Sequence, residues 1–154
     1  MVTVRWCKLQ GKGIKVVEPN KNLCKEYMQT AEESLAVLKD IERKSKVWLA
    51  VTKYYAEYFA FYSLLMNIGV KCEIHDCTIE LCRMMEKKGL IPKGFTETLE
   101  YDKKLRIDNQ YYLKNREVNL EYDEVLNFIL QIKELNLKLT QKDIEKIRKD
   151  IKNC

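Results

Sequence analysis

At 154 residues the chain has room for one domain, with a core that needs no metal or disulfide to hold it. Hydrophobic residues make up 46% and charged residues 33%, with only five glycines and two prolines, which excludes a disordered or low-complexity chain. The net charge of +5, from 28 basic and 23 acidic side chains, is too small to mark a dedicated nucleic-acid binder.

The first 18 residues read as an extended arm or hairpin. Val2 to Arg5 with Trp6, and Gly13 to Val17, are β-prone runs on either side of the turn-like Gln10-Gly11-Lys12-Gly13, and Pro19 ends them. From there the period becomes helical, and residues 19–154 read as one helical bundle. Leu23, Tyr27, Ala31, Leu35 and Leu38 recur every three or four positions, predicting a helix from about Asn20 to Lys44. Ser45 can cap the next, which carries Trp48, Val51, Tyr55, Phe59, Tyr62 and Met66 on one face and ends at Gly69.

Val47 to Val70 is long and apolar enough to span a bilayer, but Lys53 and Glu57 stand near its middle. A lysine there costs about 2.5–3.5 kcal/mol. Spaced four apart, the two can pair along a helix face, so a core helix of a bundle is expected and no membrane association.

A third helix is predicted from about His75 to Lys88, striped by Ile74, Cys77, Leu81, Met84 and Met85. Gly89 stops it, and Leu90-Ile91-Pro92-Lys93-Gly94 is a loop. A fourth runs from about Thr96 to Asn115 on Leu99, Leu105, Tyr112 and Leu113. A fifth holds Val125, Phe128, Ile129 and Ile132. The last opens at Thr140, with Asp143 placed to complete its cap, and continues through Ile144, Ile147 and Ile151. Short loops predict an all-α, up-and-down bundle of four or five helices behind a short β-prone start.

The six cysteines (7, 24, 72, 77, 82 and 154) form no CxxC pair. Cys72, His75 and Cys77 lack a fourth ligand nearby, so no metal site is expected. With no leader-like opening, reduced thiols in a cytoplasm are the expectation, and Cys77 is expected to pack as a small hydrophobe.

The run Trp48-Leu49-Ala50-Val51-Thr52-Lys53-Tyr54-Tyr55-Ala56-Glu57-Tyr58-Phe59-Ala60 resembles the aromatic-and-alanine helix of HEPN domains. Leu64-Leu65, Gly69 and then His75 follow in the order seen in small prokaryotic HEPN proteins. Leu105-Arg106-Ile107-Asp108-Asn109-Gln110-Tyr111-Tyr112 is similar to their arginine-and-tyrosine segment, and the likeness covers about Asn20 to Tyr122. It implies a helical bundle that often dimerises. Many members partner a minimal nucleotidyltransferase in toxin–antitoxin pairs, and others are metal-independent ribonucleases with an arginine four to six residues before a histidine. This chain departs from that motif: His75 is its only histidine, the upstream positions hold Ile68, Gly69 and Val70, Lys71 four before it offers only a positive charge, and no histidine follows Arg106 or Arg116.

Two functional readings follow. In one, the chain binds a nucleotide, RNA or a nucleotidyltransferase-type partner without the usual nuclease motif. In the other, it is a divergent ribonuclease in which His75 moves a proton while Arg106 or Lys71 stabilises the phosphorane charge. A purely structural dimeric bundle is the third possibility, and no cofactor is implied by any of them. At about 100° per residue, Asp102, Arg106, Asn109 and Arg116 share a face with Leu105, Tyr112 and Leu113. They are expected either to pair internally, Asp102 with Arg106, or to line a groove for an oxyanion or partner. Tyr54, Tyr55, Tyr58 and Tyr62 are expected in the core or a dimer interface, and the last helix to show a solvated face of Lys142, Lys146, Arg148, Lys149 and Lys152.

Overall fold

The computed structural model describes residues 1–154 and is an all-α bundle with one very small sheet. Its elements are α1 (Val4–Leu9), β1 (Lys15–Val16), α2 (Lys21–Ile41), α3 (Lys46–Ile68), β2 (Val70–Lys71), α4 (His75–Lys87), α5 (Phe95–Gln110), α6 (Tyr122–Lys138) and α7 (Gln141–Asn153).

The six expected helices form, and side chains close the starts of three of them. Asn20 accepts from the Leu23 amide at the start of α2, and Ser45 accepts from the Trp48 amide at the start of α3. Thr140 and Asp143 complete a reciprocal capping box on α7. Cys24, Met28, Ala31, Leu35 and Leu38 form the buried stripe of α2. The apolar α3 is the central post, packed against α2, α5, α6 and α7 and buried along most of its length. No helix is long and apolar enough to cross a membrane.

Side-chain amides tie the post to α6. Asn67 donates to the Asn136 carbonyl and side-chain oxygen (3.2 and 3.1 Å), and Asn136 donates to Ser63 Oγ (3.0 Å). Each buried donor thereby replaces the water it lost.

The N-terminal expectation is corrected. Residues 2–6 form no strand: Thr3 accepts from the Trp6 amide and starts α1. Only Lys15–Val16 is extended, and it pairs antiparallel with Val70–Lys71. The first segment is no free arm either, because Cys7 and Ile14 are buried in the common core. Long-range partners outweigh local β propensity here. Lys8 Nζ donates to the carbonyls of Ile151, Lys152 and Cys154 at 3.2, 2.7 and 3.1 Å, placing a cation at the C-terminus of α7.

The cysteine expectation is half corrected. Cys24, Cys72, Cys82 and Cys154 are free thiols, but Cys7 and Cys77 are joined, linking α1 to α4. Cys77 does lie on the buried face of its helix, where Cys7 meets it. In the last helix, Lys142, Lys146, Lys149 and Lys152 are solvated, whereas Arg148 turns inward and donates to the carbonyls of Val17, Ile68 and Gly69.

Candidate functional site

His75 is the first residue of α4, and α3 supplies the rings around it. Its imidazole stacks on Tyr58 (centroids 4.4 Å apart, 16° between planes) and meets Tyr55 edge-on at 6.0 Å. Its Nδ1 lies 2.7 Å from the hydroxyl of Tyr54, a fully buried side chain. Arg106, from α5, lies over the same rings, with its guanidinium carbon 5.0 Å from the Tyr54 centroid and 5.3 Å from that of Tyr55. The exposed ring of Tyr111 is 5.9 Å away on another side. Cation–π attraction stands here in place of a carboxylate pairing.

The histidine is neutral at physiological pH. Burial, then the charges of Arg106 and Lys103, lower its pKa to about 4, with only Asp76 opposing them. Burial also raises the Tyr54 phenol far above the ordinary range, so that hydroxyl keeps its proton. Nδ1 is the only acceptor the Tyr54 hydroxyl has in the chain. A buried hydroxyl without an acceptor costs about 1–3 kcal/mol, which favours the tautomer protonated at Nε2. His75 then presents an N–H donor at Nε2, which makes no bond within the chain.

Arg106 is almost buried yet only partly satisfied. One Nη donates to Gln110 Oε1 at 3.3 Å, and Nε has no partner. The expected pairing of Asp102 with Arg106 does not form. Asp102 faces Lys53, whose Nζ is 3.5 Å from its Oδ1. The expected pairing of Lys53 with Glu57 is likewise replaced, since Lys53 reaches Asp102, the Asn119 carbonyl (3.1 Å) and Glu121 (3.7 Å). In both cases a helix neighbour loses to a partner across the packing interface.

The other expected ligand residues lie elsewhere. Lys71, on β2, is exposed and pairs with Glu73 at 3.0 Å. Helix α5 ends at Gln110, short of the expected Asn115, because Leu113 and Asn115 adopt left-handed backbone (φ 50° and 53°). That turn lets the buried Asn109 side chain grip the Arg116 backbone, accepting from its amide at 2.7 Å and donating to its carbonyl at 3.0 Å. Arg116 itself pairs with Asp108 at 2.7 Å. Asn109 and Arg116 therefore hold a loop. Replacing Asn109 by alanine leaves two groups to find new partners, and should cost about 2 kcal/mol in urea unfolding. A loss below about 0.5 kcal/mol would refute the clamp.

Tyr54 and Tyr55 matter to the site more than helical periodicity suggested; the adjacent aromatic pair, covering two faces of one helix, was the available signal. Five cavities of about 180–510 Å³ are lined by neither His75 nor Arg106, and the exposed Tyr111 beside Arg106 puts the candidate site at the surface.

The depressed histidine makes stability depend on pH. An unfolded histidine takes a proton near pH 6.5, whereas the native one resists until about pH 4, so native stability falls as pH drops between these values. Discounted for partial exposure, the loss is about 2 kcal/mol. His75→Gln should remove this step from urea unfolding measured across the range. Because His75 is the only histidine, its ring signal in NMR is unambiguous. A titration midpoint near 6.5 would contradict the burial described here.

No protein-family model matches the chain, and no curated protein or solved structure does so either.

Proposed function

We propose that this chain is a HEPN-like helical module that binds a phosphate-bearing ligand, a nucleotide or single-stranded RNA, at Arg106 and His75. The observation that carries the reading is Arg106: a nearly buried guanidinium with no carboxylate partner, an unsatisfied Nε and a neutral imidazole donor against the same two tyrosines. Arginine in such a setting suits an oxyanion, and the exposed Tyr111 ring beside it offers a face for a base. The same reading makes the chain a cytoplasmic, homodimeric partner of a minimal nucleotidyltransferase, as in toxin–antitoxin pairs, with the sequence resemblance as its support.

Fluorescence anisotropy with ATP and a short single-stranded RNA tests the site. Arg106→Ala should weaken binding about 10- to 100-fold, the worth of one charged hydrogen-bonding group, and Arg106→Lys should restore only part of it. Wild-type protein that binds neither ligand, or an Arg106→Ala variant with unchanged affinity, would remove the reading.

A metal-independent ribonuclease is the second reading, favoured by the proximity of His75 and Arg106 around Tyr54 and Tyr55. It requires Nε2 to accept the 2′-hydroxyl proton while Nδ1 donates to Tyr54, the tautomer that leaves the Tyr54 proton without an acceptor. Binding is for that reason the primary proposal. RNA cleavage that persists in chelator and vanishes in His75→Ala would reverse the order.

A further inference from the structure

A second group of polar side chains lies where the N-terminal ends of α5 and α6 meet the middle of α3, apart from His75 and Arg106. Lys53, Glu57, Glu97, Tyr101, Asp102, Glu121 and Glu124 line an open cavity of about 340 Å³, near the lower end of the range for small-ligand sites. Five of these are carboxyl groups and one is an ammonium. Lys53, Glu57 and Asp102 are 5%, 1% and 2% exposed, so the innermost groups are almost dry.

Their hydrogen bonds do not close. Glu57 Oε2 and both carboxylate oxygens of Asp102 are buried without a partner. Glu57 is held well above the ordinary carboxyl range by burial and by Asp102, with which it can share a proton. One shared proton satisfies two of those three oxygens and leaves one of Asp102 bare. Lys53 does not supply the missing bond: it is 3.5 Å from Asp102 Oδ1, and its short contact is to the Asn119 carbonyl. A buried carboxylate oxygen without a donor is costly unless something supplies one.

We infer that this cavity binds an organic ammonium cation, of the diamine or polyamine class, with one N–H donor on Asp102 and the chain running past Tyr101 toward Glu121 and Glu124. No three of the carboxylates converge as they would around a metal ion. Separate N–H groups on a flexible chain suit such dispersed acceptors better than one point of coordination. Tyr101, more than half exposed at the mouth, offers its ring face to a cation. Glu121 and Glu124 lie beside each other at the rim, and their mutual repulsion, which raises the Glu124 carboxyl above its ordinary range, would be relieved by an arriving ammonium. The inference stands independently of the phosphate reading, since it uses neither Arg106 nor His75.

Calorimetric titration of the whole protein with putrescine, whose two amines stay protonated between pH 6 and 8, tests it. Glu57 faces Asp102 and Glu97 from α5, Lys53 on its own helix, and Glu121 and Glu124 from the start of α6. Among these, proton loss from the buried Glu57 accompanies binding. Affinity should therefore rise with pH, by up to about tenfold per unit for each proton released. Asp102→Asn should weaken binding at least about tenfold. Should that buried variant fail to fold, Glu121→Gln at the half-exposed rim keeps the test open, with an expected loss of about threefold. ATP binding should be unchanged in Glu121→Gln. The inference is overturned by any of three results: no saturable putrescine binding at millimolar concentration, affinity unchanged in Asp102→Asn or Glu121→Gln, or magnesium at equal ionic strength displacing the diamine completely.

Discussion

Gly69→Ala should be among the most damaging single substitutions in this protein, lowering stability by at least about 3 kcal/mol. Gly69 ends α3 in the left-handed region (φ 76°), with its amide turned back to the carbonyls of Leu65 and Met66. Left-handed backbone alone costs an alanine about 1–2 kcal/mol. The rest is steric. An added Cβ would stand 2.4 Å from the Val17 carbonyl oxygen and 2.8 Å from the Pro19 nitrogen, both main-chain atoms that cannot swing aside. It would also meet the guanidinium of Arg148, which bonds the carbonyls of Ile68 and Gly69. Gly89 is the control, with φ 70° and nothing within 4 Å of its Cβ position, so Gly89→Ala should lose only the backbone part. Urea unfolding of the two variants isolates the packing contribution as their difference, and equal losses would refute it.

Breaking the Cys7–Cys77 bond should have an effect of similar size. The two residues are 70 apart, and releasing a loop of that length from the unfolded chain is worth about 4 kcal/mol on the chain-entropy account. Cys7→Ser should lower the urea midpoint accordingly, with the α1 contacts, including the Lys8 cap on α7, the first to loosen. Thiol counting in denaturant checks the bond directly: four of the six cysteines react without reductant, and all six after reduction. Six reactive thiols at the outset would refute the bond. The same bond anchors the first turn of α4 two residues beyond His75, so His75 chemical shifts should move on reduction.

The helices were legible because each carries its signals within a few residues. Asn20, Ser45 and the Thr140–Asp143 pair cap helices at the positions their spacing indicates, and Gly69 ends one. The end of α5 was misjudged because Tyr112 and Leu113 continue the apolar period while Asn109 bends the chain back on Arg116. At the site, sequence picked out His75 and Arg106, which the fold does bring to one pair of tyrosines. It also picked out Lys71, Asn109 and Arg116, which lie apart from them.

By itself, then, the sequence determined the all-α class, the order of six helices, the burial of α3 and the residue types available for chemistry. These depend on period, capping and composition, which act over one or two helical turns. Tertiary structure alone decided that residues 4–9 coil, that Val16 pairs with Val70, that Cys7 meets Cys77, and that Lys53 takes Asp102 from Arg106. Each is a choice between a partner near in the chain and one near in space. Packing settles it, because it decides which groups come within reach of one removed from water.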